Sequence, residues 1–257
     1  MSQSGNRPLA GQISVWIQER VREASAKGLV FGMSGGIDSS VVAALAKMAC
    51  GDKKALARLA LLDPDLTRTQ PRPVAAATGI DAVAHAVETA GCVKRTETSL
   101  RLSVAAWRML ESAYPAAIAD PEDDAARLDM LVGAFHAGAA IEASMLGAAH
   151  SCANPLTARF GIVHGVAVGL MLPHVVRFNT AGGENPYSAI CGRGESLIER
   201  IEALLRAGGL PTRLRDLGVP ADAARTLAAE AATQWTATFN PRKISAADFQ
   251  AIYDAAM

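Results

Sequence analysis

Aromatic residues are scarce in this sequence, and their scarcity argues against a β-rich fold. They make up 5% of the 257 residues, although 50% of all residues are apolar and alanine dominates among them. Small apolar side chains favour helices that pack closely, so we predict a mostly α-helical protein. A chain of this length can bury a sizeable core in one large domain or two modest ones.

The sequence also lacks an excess of charge. It has 25 acidic and 25 basic residues, a net charge of +0, and no long run of either sign. A nucleic-acid-binding protein or one that binds acidic membranes usually has a basic surface that a charge count detects. We therefore expect partners that are neither nucleic acid nor membrane.

Long apolar runs and cysteine pairs are missing as well. No run approaches the roughly 18 apolar residues of a membrane span, and the polar N-terminal stretch has no signal-peptide core. The cysteines lie far apart and form no CxxC motif: Cys50, Cys92, Cys152 and Cys191. This spacing is typical of reduced thiols, so we expect a soluble, cytoplasmic protein.

The first 57 residues have the pattern of a small α/β segment. Apolar residues at 13, 16, 17 and 21 recur at helical spacing and predict an amphipathic helix that ends near Gly28. The apolar run 29–31 is typical of a buried strand, and a glycine-rich turn separates it from a helix-forming run at 39–50. A strand, a turn and a helix N-terminus in this order can hold a phosphate on backbone N–H groups.

The remaining residues, 58–257, predict a large helical domain, after one short strand at 59–62. Helices are expected at 75–91, 96–114, 122–147, 161–178, 193–208, 220–235 and 245–256. Breaks between helices are expected at prolines and glycines, among them Pro115 and Asn154-Pro155. Ser245 and Asp248 form a plausible capping start for the last helix.

Four side chains in this helical part have the chemistry of metal ligands. Asp81 and His85 lie four residues apart, hence on one face of a helix. A proline and a glycine separate His150 from His164, so a helix end, a loop and a new helix could bring the two together. One carboxylate oxygen and three imidazole nitrogens suit Fe²⁺ or Zn²⁺, which would polarise a substrate oxygen. The alternative is that Asp81 and His85 form only a local hydrogen-bonded pair.

Four longer strings extend this pattern over residues 59–257: ALLDPDLTRTQPRPVAAATGIDAVAHAVE, HGVAVGLMLPHVVRFN, GLPTRLRDLGV and NPRKISAADFQAIYDAA. Their order and spacing resemble the helical C-terminal domain of the iron-containing (group III) alcohol dehydrogenases. The resemblance implies that the four side chains named above are metal ligands. It also implies a metal-dependent oxidoreductase, with Fe²⁺ or Zn²⁺, that interconverts small alcohols and aldehydes with a nicotinamide cofactor, NAD or NADP.

One position departs from that family's pattern. Many members carry another histidine four residues after the third ligand, facing the substrate, and here Asn154 stands at that place. We expect Asn154 to face the substrate, where an amide can form hydrogen bonds but cannot relay a proton near neutral pH. His174 is expected to be structural, and His136 is expected to be a helix residue near the pocket rather than a ligand.

The string SGGIDSS at residues 34–40 belongs to other chemistry. With its flanks, VWIQERVREASAKGLVFGM and VVAALAKMA, it resembles the pyrophosphatase loop of ammonia-dependent NAD synthetases over about residues 12–50. That resemblance implies an ATP phosphate site formed by Ser34, Gly35, Gly36, Asp38, Ser39 and Ser40. The alternative is a glycine turn whose serine and aspartate cap the following helix.

Neither resemblance accounts for a whole enzyme, and the sequence looks like a fusion of parts of two families. The GGGS-type turn and the TGTGSE-like stretch of the dehydrogenases' nucleotide-binding domain do not occur in it. We therefore expect an exposed apolar surface near the metal cleft, or a homodimer that covers it. The alternatives to a dehydrogenase are a non-catalytic metal-binding helical remnant and ATP-pyrophosphatase-like nucleotide binding by the N-terminal loop.

Overall fold

The computed structural model describes residues 9–23, 62–183, 185–191 and 196–257, and these residues form helices but no strands. This confirms the mostly α-helical prediction. The chain divides into two compact units, Met1–Leu61 and Leu62–Met257. The predicted boundary at 57–58, the two short strands and the phosphate loop lie outside the described residues and stay predictions.

The described part of the first unit is one helix, α1 (Leu9–Glu23). It confirms the amphipathic helix expected from the spacing of its apolar residues, while the expected end near Gly28 lies outside the described residues. An ion pair between Arg20 Nη2 and Glu23 Oε1, at 2.6 Å, joins residues three apart in its last turn.

The second unit contains eight helices in its described residues. They are α2 (Arg72–Gly91), α3 (Glu97–Ala119), α4 (Asp124–Glu142), α5 (Ala148–Phe160), α6 (His164–Thr180), α7 (Leu197–Gly208), α8 (Ala224–Ala231) and α9 (Ala246–Ala256). Short 3₁₀ helices lie at Pro64–Thr67, Leu214–Leu217, Ala221–Ala223 and Trp235–Phe239. Within the described ranges, every helix is too short or too polar to cross a membrane.

Helix α2 lies at the centre of this unit and packs against α3, α4, α6 and α7. Its residues from Ala76 to Gly91 are mostly alanine, valine and glycine, and nearly all of them are buried. Small side chains on a buried helix let neighbouring helices approach closely, and this explains how a protein poor in aromatic residues fills its core. The site residues of α2 are therefore fixed by packing on several sides.

Two of the breaks expected at prolines are wrong. Pro115 lies inside α3 and Pro155 lies inside α5. An internal proline removes one helical hydrogen bond and crowds the preceding turn, but burial of the surrounding side chains, such as Cys152 and Leu156, outweighs that cost. Helix α5 ends instead at Gly161, whose φ of 66° is in the left-handed region that glycine adopts without strain.

Other helix limits differ from the sequence pattern by a few residues. The segment expected at 122–147 ends at Glu142, and the segment expected at 220–235 is a 3₁₀ turn followed by the short helix α8. The last helix begins as expected, with Ser245 and Asp248 forming a reciprocal capping box.

Arg127 connects the turn at Pro64–Thr67 to α4 through hydrogen bonds. Its buried guanidinium donates to the carbonyl oxygen of Pro64 at 2.6 Å, to Thr67 Oγ1 at 2.7 Å and to the carbonyl oxygen of Pro121 at 3.2 Å. One cation thus holds three separate pieces of chain at the start of the helical unit.

We expect Arg127→Met to lower the free energy of unfolding by about 2 kcal/mol, because charged hydrogen bonds are lost and their acceptors stay partly buried. Urea unfolding followed by circular dichroism measures the change. Arg108→Met, at an exposed position of α3, is the matched control and is expected to change stability by less than about 0.5 kcal/mol. Equal effects of the two substitutions would contradict this role of Arg127.

Candidate metal centre

One face of α2 carries three ionisable side chains. Asp81, His85 and Glu88 lie at positions i, i+4 and i+7, so that helical geometry places them in a row. The intervening residues are alanine and valine and pack into the core. The row is therefore held by a helix that cannot rotate without exposing apolar surface.

The turn between α5 and α6 brings the other two predicted histidine ligands close to this row. His150 is the third residue of α5, and His164 is the first residue of α6. Only residues 161–163 join the two helices, and the left-handed Gly161 begins the reversal. The expected helix end, loop and new helix are present, although the break is at Gly161 rather than at Asn154-Pro155.

Three of the four predicted ligands converge. One ligand atom each from Asp81, His150 and His164 lies within 4.8 Å of the others. His150 Nε2 is 3.4 Å from Asp81 Oδ1, and the rings of His150 and His164 have centroids 5.3 Å apart. This is the spacing of side chains that surround one point without bonding to each other.

His85 lies next to this group, against both Asp81 and His150. Its Nε2 is 3.6 Å from Asp81 Oδ1, and its ring stacks on that of His150 with a centroid distance of 5.0 Å. At 3.6 Å this approach to Asp81 is too long for the local hydrogen bond considered as an alternative from the sequence. Its role as a fourth ligand stays a prediction.

Two buried atoms of the group make no hydrogen bond within the described part of the chain. They are Asp81 Oδ1 and His150 Nε2. Burying polar atoms without partners costs free energy, and a cation between them would satisfy both. The donor set of one carboxylate oxygen and imidazole nitrogens is one that Zn²⁺ and Fe²⁺ accept, so the residues fit such an ion.

Burial and neighbouring charges shift the pKa values of the side chains in this group. Burial opposes ionisation of Asp81, but the neighbouring histidines outweigh it and lower the pKa of Asp81 to about 2. Burial also disfavours imidazolium, and with the repulsion from His150 it lowers the pKa of His85 to about 4. Burial and the same neighbour lower the pKa of His164.

His150 is shifted in the opposite direction. Burial again disfavours its charged form, but the carboxylates of Glu88 and Asp81 prevail and raise the pKa of His150 to about 9. Near neutral pH, His85 and His164 therefore offer lone pairs, whereas His150 holds a proton that a metal would displace.

Glu88 is a residue of this site that sequence reasoning missed. It is buried, and its Oε2 lies 2.5 Å from His150 Nδ1, on the side of the ring that faces away from Asp81. The only signal in the sequence was its position seven residues after Asp81 on the same helical face. A lone glutamate at that spacing is more often a solvated surface residue.

Asn154 lies one turn after His150 on α5 and is half-buried. Its Nδ2 donates to Gln234 Oε1 at 3.0 Å, which ties α5 to the residues before Trp235. Val163, next to His164, and Trp235 are 62% and 61% exposed. Two apolar side chains, next in sequence to His164 and to Gln234, are therefore exposed, and the larger apolar surface expected near the metal cleft stays a prediction.

The two remaining histidines do not join the group of converging ligands. His136 lies in α4 beside Phe135, and His174 lies in α6. Burial, together with the charge of Arg177, lowers the pKa of His174 to about 4.

Comparison with known families identifies two matching regions. Residues 75–257 match the family described as Fe-containing alcohol dehydrogenase family, C-terminal. Residues 9–88 match the family described as NAD synthase, a longer stretch than the 12–50 expected from the loop.

Individual alcohol dehydrogenases and related reductases also match this chain. The long-chain-alcohol dehydrogenase 1 of Geobacillus thermodenitrificans is 34% identical over 215 residues, which cover 78% of this chain and 54% of that protein. The lactaldehyde reductase of Escherichia coli is 32% identical over 225 residues, covering 82% of this chain and 58% of its own. The chain thus spans little more than half the length of the curated relatives it matches.

Solved structures agree with this similarity. A 1,3-propanediol oxidoreductase superimposes with a TM-score of 0.71 at 30% identity, covering 76% of this chain and 55% of that one. A sulfoacetaldehyde reductase from Bifidobacterium kashiwanohense, solved in complex with NAD⁺, gives 0.70 at 26% identity, covering 76% and 53%. A maleylacetate reductase from Agrobacterium tumefaciens shares the fold, with a TM-score of 0.82 at 20% identity over 96% and 79%.

Proposed function

The chain belongs to the Fe-containing alcohol dehydrogenase family, and on that premise we propose that it is a metal-dependent oxidoreductase that interconverts alcohols and aldehydes with a nicotinamide cofactor. The observation that carries the proposal is the convergence of Asp81, His150 and His164 on one point. Family membership alone would not require this chain to retain a site, whereas buried polar atoms facing one another without partners indicate a ligand.

The residues that would hold the metal are Asp81, His150 and His164, with His85 as the fourth. Fe²⁺ or Zn²⁺ bound there supplies Lewis acidity toward a substrate oxygen. The chain's own contribution is geometric: packing of α2 and the short turn after Gly161 fix the ligands before the metal arrives. The side chains of His85 and Asp81 are 25% and 18% exposed, so a small alcohol or aldehyde can approach the cluster from solvent.

Asn154 is the residue we propose to face the substrate. It follows His150 by one helical turn, so both side chains project from the same side of α5. Its contact with Gln234 fixes the direction of the amide. An amide in this place can orient a substrate hydroxyl or carbonyl by hydrogen bonding, but the proton of the reaction has to leave by another route.

The nicotinamide cofactor is proposed from the similarity to relatives. The relative solved with NAD⁺ supports it, but the chain spans only about half of such relatives. ATP binding by Ser34, Gly35, Gly36, Asp38, Ser39 and Ser40 also stays a prediction, which the match to NAD synthase supports.

We expect zinc- or iron-loaded protein to oxidise members of a panel of primary alcohols with NAD⁺ or NADP⁺. Absorbance of the reduced nicotinamide follows the reaction, and protein carrying Asp81→Ala gives the background rate. Turnover above that background supports the proposal.

Metal uptake without turnover on any alcohol or aldehyde would overturn the catalytic part and favour a non-catalytic metal-binding remnant. Titration with NADH and NADPH then shows whether the absence of turnover comes from a failure to bind the cofactor. No binding of either at millimolar concentration would rule out the nicotinamide cofactor.

A further inference from the structure

We propose that Glu88 is a positioning residue, whose carboxylate holds the His150 ring so that Nε2 points at the metal. The inference rests on the metal centre proposed above and assigns a role to a residue outside the ligand set. Glu88 is 2% exposed in its side chain and lies on the row of α2 that already carries Asp81 and His85.

Both carboxylate oxygens of Glu88 are used. Oε2 lies 2.5 Å from His150 Nδ1, and Oε1 accepts the backbone N–H of Ala149 at 2.7 Å. An ionised carboxylate only accepts hydrogen bonds, so His150 Nδ1 must be the donor. A neutral imidazole that donates from Nδ1 carries its lone pair on Nε2, which is the nitrogen nearest Asp81.

Gly147 lies next to both the carboxylate and a buried pair of asparagine side chains. Gly147 leaves the space that the carboxylate needs, because a Cβ there would lie 3.0 Å from Glu88 Oε1 and 3.5 Å from Asn240 Oδ1. Asn240 is fixed in turn by a reciprocal pair of hydrogen bonds with Asn179, at 2.7 and 3.0 Å. Tyr187 Oη accepts a further hydrogen bond from Asn179 at 2.7 Å.

A glutamine at position 88 could not accept both of these hydrogen bonds. Ala149 N–H and His150 Nδ1–H both donate, and an amide has only one oxygen to accept them. If that oxygen takes the Ala149 N–H, the amide NH₂ faces His150 Nδ1 and favours the tautomer with hydrogen on Nε2. That tautomer has no lone pair for the metal at the position where the metal would sit.

The test is the dissociation constant for Zn²⁺, measured by competition with a chromophoric chelator on the full chain. We expect Glu88→Gln to weaken zinc binding about 10- to 100-fold relative to wild type, as is usual when the partner of a ligating histidine is lost. Glu88→Asp keeps two acceptor oxygens and is expected to bind zinc more tightly than Glu88→Gln. A residue with a merely structural role would not give this order.

The matched control is Tyr253→Phe. Tyr253 Oη donates to the carbonyl oxygen of Cys152 at 2.7 Å, so the substitution removes a buried hydrogen bond to the same helix, α5, without touching His150. We expect it to lower the melting temperature and to leave zinc affinity within about twofold, a change of under roughly 0.5 kcal/mol. If Glu88→Gln fails to fold, Gly147→Ala displaces the same carboxylate and is expected to weaken zinc binding.

The outcomes distinguish failure of the proposed role of Glu88 from failure of the proposed metal centre. If wild type binds zinc and Glu88→Gln binds it equally well, Glu88 does not position His150, although the metal centre stands. If wild type binds no zinc, the metal centre fails and the role of Glu88 fails with it.

Discussion

Gly165→Ala is expected to separate α6 from α2 and to remove both stability and metal binding. A Cβ at Gly165 would lie 2.0 Å from the carbonyl oxygen of Ala77, 2.8 Å from its carbonyl carbon and 3.3 Å from Asp81 Cβ. The atoms it meets first belong to the backbone, so no change of rotamer relieves the clash. The helices must part at the point where each of them carries a ligand.

The expected loss of unfolding free energy is about 3 kcal/mol, the upper part of the range for overpacking, because backbone has to move. Urea unfolding gives this value, and zinc titration of the same sample gives the effect on the site. Since His164 directly precedes Gly165 and Asp81 lies one turn after Ala77, a displacement there changes the distance between two ligands.

Gly138→Ala provides the matched control for that experiment. Gly138 lies inside α4, and a Cβ there would meet nothing within 4 Å. Alanine is the better helix former, so we expect a gain of roughly 0.5–1 kcal/mol and unchanged zinc affinity. A Gly165→Ala protein as stable and as tight for zinc as Gly138→Ala would refute the close approach of α6 to α2.

Asp81→Ala is expected to abolish metal binding while the helical fold remains. Asp81 is the only carboxylate among the three converging side chains, and it supplies the negative charge that offsets the cation. We expect zinc affinity to fall about 1000-fold, which corresponds to roughly 4 kcal/mol. Isothermal titration calorimetry with Zn²⁺ measures the change, and circular dichroism shows whether the helices persist.

The control removes the same charge from a different place. Asp129 lies on the exposed side of α4, so Asp129→Ala changes the net charge equally without touching the site. We expect its zinc affinity to match that of wild type. If Asp129→Ala weakened binding as much as Asp81→Ala, the effect would come from overall charge and the proposed ligand role would be wrong.

Much of the fold follows from local patterns in the sequence. Small apolar residues at helical spacing account for α2, and the Ser245–Asp248 capping box accounts for the start of α9. The helix breaks predicted at Pro115 and Pro155 are wrong, because the cost of an internal proline is local while the burial that outweighs it depends on distant helices. Such a balance is not visible in one segment of sequence.

The site was predictable to a different degree. The spacing and the family resemblance named Asp81, His150 and His164, and the structure brings these three together. They did not show that His85 would stack beside the group, because ring orientation depends on packing between helices. Glu88 could not be predicted for a similar reason. Its place in the site depends on the contact with His150, which lies 62 residues away along the chain.

Metal content is the most direct test of the central claim, that Asp81, His150 and His164 form a metal centre. Wild type and His150→Ala are each incubated with zinc, passed through a desalting column and examined by elemental analysis. The account predicts one equivalent of metal in wild type and a loss of that equivalent in His150→Ala. Equal metal content in the two proteins, or none in wild type, would contradict it.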